Sequence, residues 1–106
     1  MIQWPCMFKL NGDAELMFFA AEPQLYIELD DLIWDSLDRL IDSTGQGYIV
    51  RSTEDGYVFE QQGSPLSLEL ITQFIQEHEF SKAQMCLTKI QFTSIHQAIE
   101  SISRET

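Results

Sequence analysis

Carboxylates crowd the middle of the chain, and a cluster of carboxylates is the arrangement in which proteins bind hard cations. One short stretch carries Asp30, Asp31, Asp35, Asp38 and Asp42. Their spacing lacks the alternating ligands and the sixth-position glycine of an EF-hand loop. A pair such as Asp30 with Asp35 would suit acid–base chemistry, but among 17 acidic residues some pair by chance. We expect no metal site and interpret the segment as a solvated acidic connection.

The cysteines and histidines are the other residues able to do chemistry. A catalytic thiol would require Cys86 to meet His96 or His78, with an acid to orient the histidine, and the four residues share no zinc-ligand spacing. Cys6 falls on the predicted buried face with Trp4, Phe8 and Leu16, and Cys86 lies in an apolar run; both settings are typical of inert core cysteines. His78 ends an apolar stripe close to a predicted helix C-terminus. We predict no catalytic residues, and we favour a non-enzymatic protein.

The glycines do not form a phosphate-binding loop. None of the five opens a helix, as a nucleotide site requires. The chain also lacks the patterns Gly-Lys-Ser/Thr, Gly-x-Gly-x-x-Gly and Gly-x-Ser-x-Gly. We therefore expect no cofactor.

The net charge favours some partners and excludes others. Seventeen acidic against six basic residues give −11, which repels both nucleic-acid phosphates and anionic membranes. The charge favours a protein partner, a basic one in particular, and self-association is the alternative. No run approaches the ~20 apolar residues of a membrane span, and the N-terminus lacks a signal-peptide layout. With two cysteines far apart, this predicts a cytoplasmic protein with free thiols.

Residues 2–21 predict a β-hairpin, because apolar residues alternate with others on both sides of the Asn-Gly-Asp turn at 11–13. A three-residue loop would place Phe8 opposite Leu16 and keep the apolar residues on one face. A two-residue Asn-Gly turn is the alternative, but buried side chains at ~1.5–3 kcal/mol each favour the longer loop. Pro5 lacks an N–H group, so we expect the first strand to lie at an edge of the sheet, or at least to be unpaired on the side of Pro5.

The outer face of this hairpin is unusually apolar. It would carry Pro5, Met7, Met17 and Phe19, which is too apolar for a strand face left in water. Either the chain's own helices cover this face, or a partner does. We take these four residues as the candidate interaction surface, since methionine beside an aromatic residue suits an adaptable contact.

The rest of the chain predicts helices and further strands. Helices are predicted at 23–32, at 65–79 and from 93 or 94 onward, and strands at 38–43, 48–50, 57–61 and 85–90. The apolar pattern of the first helix continues toward Gly45, which leaves one long helix as an alternative to the strand at 38–43. Ser64 followed by Pro65, and Ser94 followed by Gln97, predict the N-caps of the later helices.

The Asp-Gly pair at 55–56 predicts a hairpin in the middle of the chain. A two-residue loop would place Arg51 opposite Glu60, and a three-residue loop remains open. The order of the elements indicates an α+β fold in a single domain spanning 1–106. Its mainly antiparallel sheet would consist of the N-terminal hairpin and a central meander, with about three helices packed on it.

Two stretches resemble a known group of sequences. They are residues 1–13, Met-Ile-Gln-Trp-Pro-Cys-Met-Phe-Lys-Leu-Asn-Gly-Asp, and residues 38–45, Asp-Arg-Leu-Ile-Asp-Ser-Thr-Gly. Both are similar to a small family of uncharacterised proteins, a domain of unknown function, from marine gamma-proteobacteria. The resemblance lies in hairpin signatures and covers nearly the whole chain. It implies a bacterial, cytoplasmic, stand-alone domain with no activity or catalytic residues to carry over.

These observations lead to one functional hypothesis and two alternatives. We expect a non-catalytic protein–protein interaction or regulatory module, with homodimerisation as one form of it. An acidic decoy that binds a basic or nucleic-acid-binding protein is the first alternative, motivated by the charge. A small metal-dependent hydrolase, motivated only by the aspartates, is the second.

Overall fold

A five-stranded antiparallel sheet with the order β2-β1-β3-β4-β5 forms the centre of the protein. The computed structural model describes residues 1–82 and 91–104. The strands are β1 Cys6–Lys9, β2 Leu16–Phe19, β3 Arg39–Ile41, β4 Gly47–Thr53 and β5 Gly56–Gln62, and the helices are α1 Glu22–Asp31, α2 Leu68–Lys82 and α3 Ile95–Ser101. The predicted α+β class is confirmed. The predicted strand at 85–90 lies outside the described residues.

Helices cover both faces of the sheet. Beneath α1 lies a first cluster of buried residues: Cys6, Phe8, Phe19, Leu25, Leu29, Leu40, Tyr48 and Val50. Beneath α2 and α3 lies a second cluster: Met7, Leu16, Ile41, Ile71, Ile75, Ala98, Ile99 and Ile102. Because β1 contributes to both clusters, its consecutive residues Cys6, Met7 and Phe8 are all fully buried. Each large side chain buried in this way contributes about 1.5–3 kcal/mol to stability.

The register of the first hairpin differs from the prediction by one residue. Phe8 lies opposite Met17 rather than Leu16, and the longer loop is closed by a bond from the Asp13 N–H to the Leu10 carbonyl (3.0 Å). The prediction assumed that only one face of the strand is buried. Since both faces are covered, matching the apolar residues on a single face no longer decides the register.

The prediction that the first strand lies at an edge is also wrong. β1 pairs with β2 on one side and with β3 on the other. Pro5 precedes the first residue of β1, so its missing N–H removes no hydrogen bond from the ladder. The edges of the sheet are instead β2 and β5.

The acidic segment contains a strand rather than a helix extension. α1 starts at Glu22 with a proline in its first turn, as predicted, and ends at Asp31. The strand β3 then follows, and the alternative of one long helix is wrong. In the next hairpin Thr53 pairs with Gly56, so the loop is Glu54-Asp55 and Arg51 lies opposite Val58 rather than Glu60.

The start of α2 is displaced from the predicted Ser64-Pro65 cap. The Leu66 N–H donates to the Gly45 carbonyl (2.8 Å), which holds residues 65–67 against the β3–β4 turn. The helix therefore begins at Leu68, where the Ser67 hydroxyl oxygen accepts from the Leu70 N–H (3.1 Å). An alanine at Gly45 would place its Cβ 2.5 Å from the Leu66 carbonyl oxygen, and its φ of +90° already disfavours a side chain.

The predicted cap of α3 is confirmed. The hydroxyl oxygen of Ser94 accepts from the Gln97 N–H (3.1 Å). The Gln97 side-chain oxygen accepts from the Thr93 N–H (2.8 Å) rather than from the Ser94 N–H. This is a capping box shifted by one residue. Among the described residues, no helix has the length and apolar character needed to cross a membrane.

Candidate interaction site

The edge at β2 is closed by side chains. The Leu16 N–H at the start of the strand donates to Nδ1 of His78, a buried histidine on α2 (2.9 Å). Just past its end, the Ala20 N–H donates to the Gln24 side chain of α1 (2.9 Å). Backbone groups at both ends of this short strand are therefore satisfied from within the chain.

The edge at β5 has its backbone turned outward. Beyond β3 the Asp42 N–H donates to the Gln46 carbonyl (3.0 Å), and hydrogen-bonded and non-bonded pairs alternate along an antiparallel ladder. The N–H and C=O groups of Ile49 in β4 therefore point toward β5, where Ile49 pairs with Glu60. The N–H and C=O groups of Tyr57, Phe59 and Gln61 then point away from the sheet. Within residues 1–82 and 91–104, β5 pairs with β4 alone.

Aromatic side chains flank the β5 edge on the face beneath α1. The rings of Tyr26 and Tyr57 lie 5.7 Å apart between centroids, Tyr26 stacks on Phe59 at 6.2 Å, and Trp34 meets Tyr57 edge-on at 5.8 Å. All four rings are partly exposed. Such ring pairs add about 0.5–1.5 kcal/mol beyond their buried area. We call these four residues the aromatic cluster.

Two hydroxyls of the aromatic cluster donate to carboxylates. The Tyr57 hydroxyl donates to Asp30 on α1 (2.5 Å), and the Tyr26 hydroxyl donates to Glu22. In both cases the hydrogen bond to the carboxylate is the main cause that raises the tyrosine pKa, because ionisation would remove the donor and place two negative charges together. The Asp30 carboxylate therefore lies at a side chain of β5, and the Glu22 carboxylate lies at the neighbouring Tyr26 on α1.

On the opposite face of β4 and β5, no described helix packs against the two strands. Among the described residues, the second buried cluster, beneath α2 and α3, includes no residue of either strand. Val58 keeps 45% of its surface exposed. Beside it, the Arg51 guanidinium forms an exposed ion pair with Glu60, diagonally across the hairpin. The β5 edge thus offers outward backbone, an aromatic side and an aliphatic side.

The four hairpin residues predicted as an interaction surface do not share a face. Met7 has no exposed surface and lies in the second cluster, whereas Phe19 is 3% exposed and lies in the first. Met17 packs against the first cluster with part of its surface exposed, and Pro5 is also partly exposed. The observed register separates these residues, so the predicted common outer face is corrected: the chain's own core covers Met7 and Phe19.

The residues with nucleophilic or acid–base chemistry lie apart. Cys6 is fully buried beneath α1; burial, followed by the nearby Asp42 carboxylate, raises the pKa of its thiol. His78 lies on the other face of the sheet, and His96 is an exposed residue of α3 with Nδ1 3.3 Å from Glu100. Cys86 lies outside the described residues. Cys6 is therefore a buried, protonated thiol with neither described histidine on its face of the sheet.

Two aspartates of the central segment, Asp38 and Asp42, accept hydrogen bonds from backbone N–H groups. Asp42 is 1% exposed, and one of its oxygens accepts from the N–H groups of Thr44 (2.9 Å) and Gln46 (3.1 Å). Its other oxygen accepts from the Gln3 N–H (3.1 Å). Asp38 accepts in the same way from the N–H groups of Asn11 (2.6 Å) and Asp35 (2.8 Å). Among the described residues, no three metal-ligating side chains form a group.

A depression of about 720 Å³ lies between the β1–β2 loop and α2, beside the 65%-exposed Phe80. Two of its polar side chains form local hydrogen bonds: the Lys9 ammonium donates to the Asp13 carbonyl (2.9 Å), and the Ser81 hydroxyl donates to the His78 carbonyl (2.7 Å). This arrangement supplies no activated nucleophile.

Comparison with known proteins yields a family and a fold. Residues 4–102 match the family model DUF4144, described as a protein structure with unknown function. The NMR structure of a protein from Shewanella amazonensis superimposes with a TM-score of 0.72 over 100% of this chain and 91% of that one, at 21% identity. At this identity the likeness shows the fold alone. A search of curated proteins gave no match.

Proposed function

Because this chain belongs to the DUF4144 family, whose function is unknown, we propose a role from its surface: it is a non-catalytic protein-interaction module that binds an extended segment of a partner along β5. The observation that carries the proposal is the outward backbone of Tyr57, Phe59 and Gln61 at the edge of the sheet. Adding a strand to such an edge supplies main-chain hydrogen bonds for affinity, while the flanking side chains supply specificity.

The sequence of β5 supports a binding role for this edge. Soluble proteins blunt exposed edges with prolines, lysines, bulges or very short strands, because an open edge invites pairing. β5 is seven residues long, contains no proline or lysine, has Glu60 as its single charged residue, and keeps one register without a bulge from Gly56 to Gln62. Flanking the outward backbone, Val58 and the aromatic cluster offer apolar surface on both sides.

The same proposal extends to origin and compartment. We place the protein in the bacterial cytoplasm, where a free cysteine such as Cys6 stays reduced and an acidic surface keeps the chain soluble. The fold shared with a protein of Shewanella, a bacterial genus, supports this placement. Of the hairpin surface, only Pro5 and Met17 retain area for a partner, so β5 replaces it as the main contact.

A selection experiment tests the proposal. Random heptapeptides displayed on phage are selected against the full chain, and the strongest binder is added to ¹⁵N-labelled protein. We expect the largest amide shifts at Tyr57, Phe59 and Gln61, with intermolecular NOEs between backbone groups of peptide and β5. Shifts confined to another surface, or a selection that yields no binder, would overturn the proposal.

A further inference from the structure

We propose that the occupant of the β5 edge is an extended segment in which basic residues alternate with aliphatic ones, its basic side chains facing the aromatic cluster. This inference depends on the proposed function, and it adds the chemical class of the partner. It follows from how charged, aromatic and aliphatic groups are distributed on the two sides of β5.

The aromatic side is suited to cations. Tyr57 and Phe59 present partly exposed rings on this face, and ring faces attract ammonium and guanidinium groups. Asp30 lies at the Tyr57 hydroxyl and Glu22 at the Tyr26 hydroxyl. A basic side chain from an added strand would therefore meet an aromatic ring and a carboxylate together, a combination that favours arginine.

The other side of β5 is suited to aliphatic residues. Val58 is 45% exposed there with no described helix above it. The neighbouring Glu60 is already paired with Arg51. The exposed side chain of Val58 is therefore the main surface that this side of β5 offers to a partner. Since side chains of a strand alternate between faces, a segment bound to β5 would direct every second residue to Val58 and the others to the aromatic cluster.

The overall electrostatics favour the same partner. The β4–β5 hairpin carries Glu54, Asp55 and Glu60 against the single base Arg51, and the whole chain has a net charge of −11. A second copy of this chain would bring another −11 to the edge, whereas a basic segment is attracted from a distance. Charge complementarity therefore selects a basic segment over self-association.

Four capped heptapeptides added to the ¹⁵N-labelled full chain test the inference. One alternates arginine with valine, a second replaces arginine with glutamine, a third with glutamate, and a fourth contains the arginines and valines in separate blocks. At about 50 mM salt we expect the alternating arginine peptide to shift the amides of Tyr57, Phe59 and Gln61 and to bind about tenfold more tightly than the glutamine peptide. The ratio should fall toward unity at about 500 mM salt.

The controls separate failure of this inference from failure of the proposed function. If the glutamine or glutamate peptide binds β5 as tightly as the arginine peptide, the edge is a binding site but its partner is not basic. If the blocked peptide binds equally well, the alternation is wrong. If none of the peptides shifts the β5 amides while phage selection yields a β5 binder, this inference alone fails.

Two variants test whether the basic side chains of the peptide lie on the aromatic side of β5. Asp30→Asn should weaken the alternating arginine peptide about threefold, whereas Glu69→Gln, an equal charge change at an exposed residue of α2, should leave its affinity unchanged. Equal effects of the two variants would show that only net charge matters and would overturn the assignment of the basic side chains to the aromatic cluster.

Discussion

The sheet ends at β2 on one side and at β5 on the other, and the chain treats the two edges differently. β2 has four residues, and side chains from two helices bind backbone groups at its two ends. β5 has seven residues, and among the described part of the chain only β4 pairs with it. His78 is buried to satisfy one backbone N–H of β2, whereas no described residue does the same for β5.

The two edges differ in what they contribute to the stability of the fold. At the Leu16 end, the closed edge lies in the second buried cluster, where an unsatisfied N–H would reduce stability by about 1–3 kcal/mol. The open edge lies where its backbone can bond to water, so the fold gains little by covering it. Folding uses β5 through its pairing with β4 and through Tyr57 and Phe59, but it does not require the outer edge of the strand to be covered.

The largest expected effect comes from disrupting the turn that joins β3 to β4, because this turn connects the two halves of the sheet and so both of its edges. Asp42→Asn keeps the shape of the side chain but replaces one accepting oxygen with an NH2 donor. That donor would face N–H groups such as those of Thr44 and Gln46. We expect a loss of roughly 3 kcal/mol in the free energy of unfolding, measured by urea denaturation. Asp31→Asn, the same change at an exposed site, should stay within about 0.5 kcal/mol. Equal effects would contradict the role of Asp42.

The second prediction opens the closed edge. His78→Leu removes the acceptor of the Leu16 N–H while filling similar space. Stability should fall by about 1–3 kcal/mol, because a buried donor is left unsatisfied. His96→Leu, at an exposed histidine, is the control and should change stability by less than about 0.5 kcal/mol. On the open edge, Val58→Lys should likewise change stability by less than about 0.5 kcal/mol. A neutral His78→Leu would show that β2 needs no protection.

Amide hydrogen exchange resolves the comparison residue by residue. Along β5 the inward amides of Val58 and Glu60 bond to β4, whereas those of Tyr57 and Phe59 point outward. The outward amides should exchange at least about tenfold faster than their inward neighbours, while the Leu16 amide should be protected by His78. Uniform protection along β5 would contradict an open edge.

The smallest expected effect concerns the Tyr57 hydroxyl and its bond to Asp30. Since this bond raises the tyrosine pKa in the folded state, its contribution is fully present below the unfolded pKa of about 10 and is lost as the pH rises through the folded value. Wild-type protein should be slightly more stable than Tyr57→Phe at about pH 8, and the gap should narrow once the pH rises above about 10. Urea unfolding of both proteins at about pH 8 and above about pH 10 measures it; an unchanged gap would contradict the assignment.

Local features of the sequence predicted the structure well. The apolar stripe of α2 is confirmed by Ile71 and Ile75, which have no exposed surface, and the cap of α3 by Ser94. The prediction of a strand within the acidic segment, instead of a longer helix, is also confirmed. Each of these features depends on residues within a few positions of one another.

The errors arose where distant elements decide the outcome. Alternation in the first hairpin could not reveal that helices cover both faces, so its register and its apolar outer face were wrongly predicted. Ser64 satisfied the local rules for a cap, but the bond from Leu66 to Gly45 moved the helix start. The strand at β5 was predicted, yet its place at the edge was not, because edge position depends on the order of all the strands.

The central position of β1 also constrains how the chain folds. Its hairpin with β2 forms from neighbouring residues, but an isolated two-stranded hairpin is at best marginally stable in water. Its second neighbour is distant in sequence, since Phe8 pairs with Leu40. The N-terminal hairpin can join the sheet only after this long loop closes, and folding slows as the sequence separation of contacts grows. During synthesis the first strand must therefore wait for β3 before the core can form.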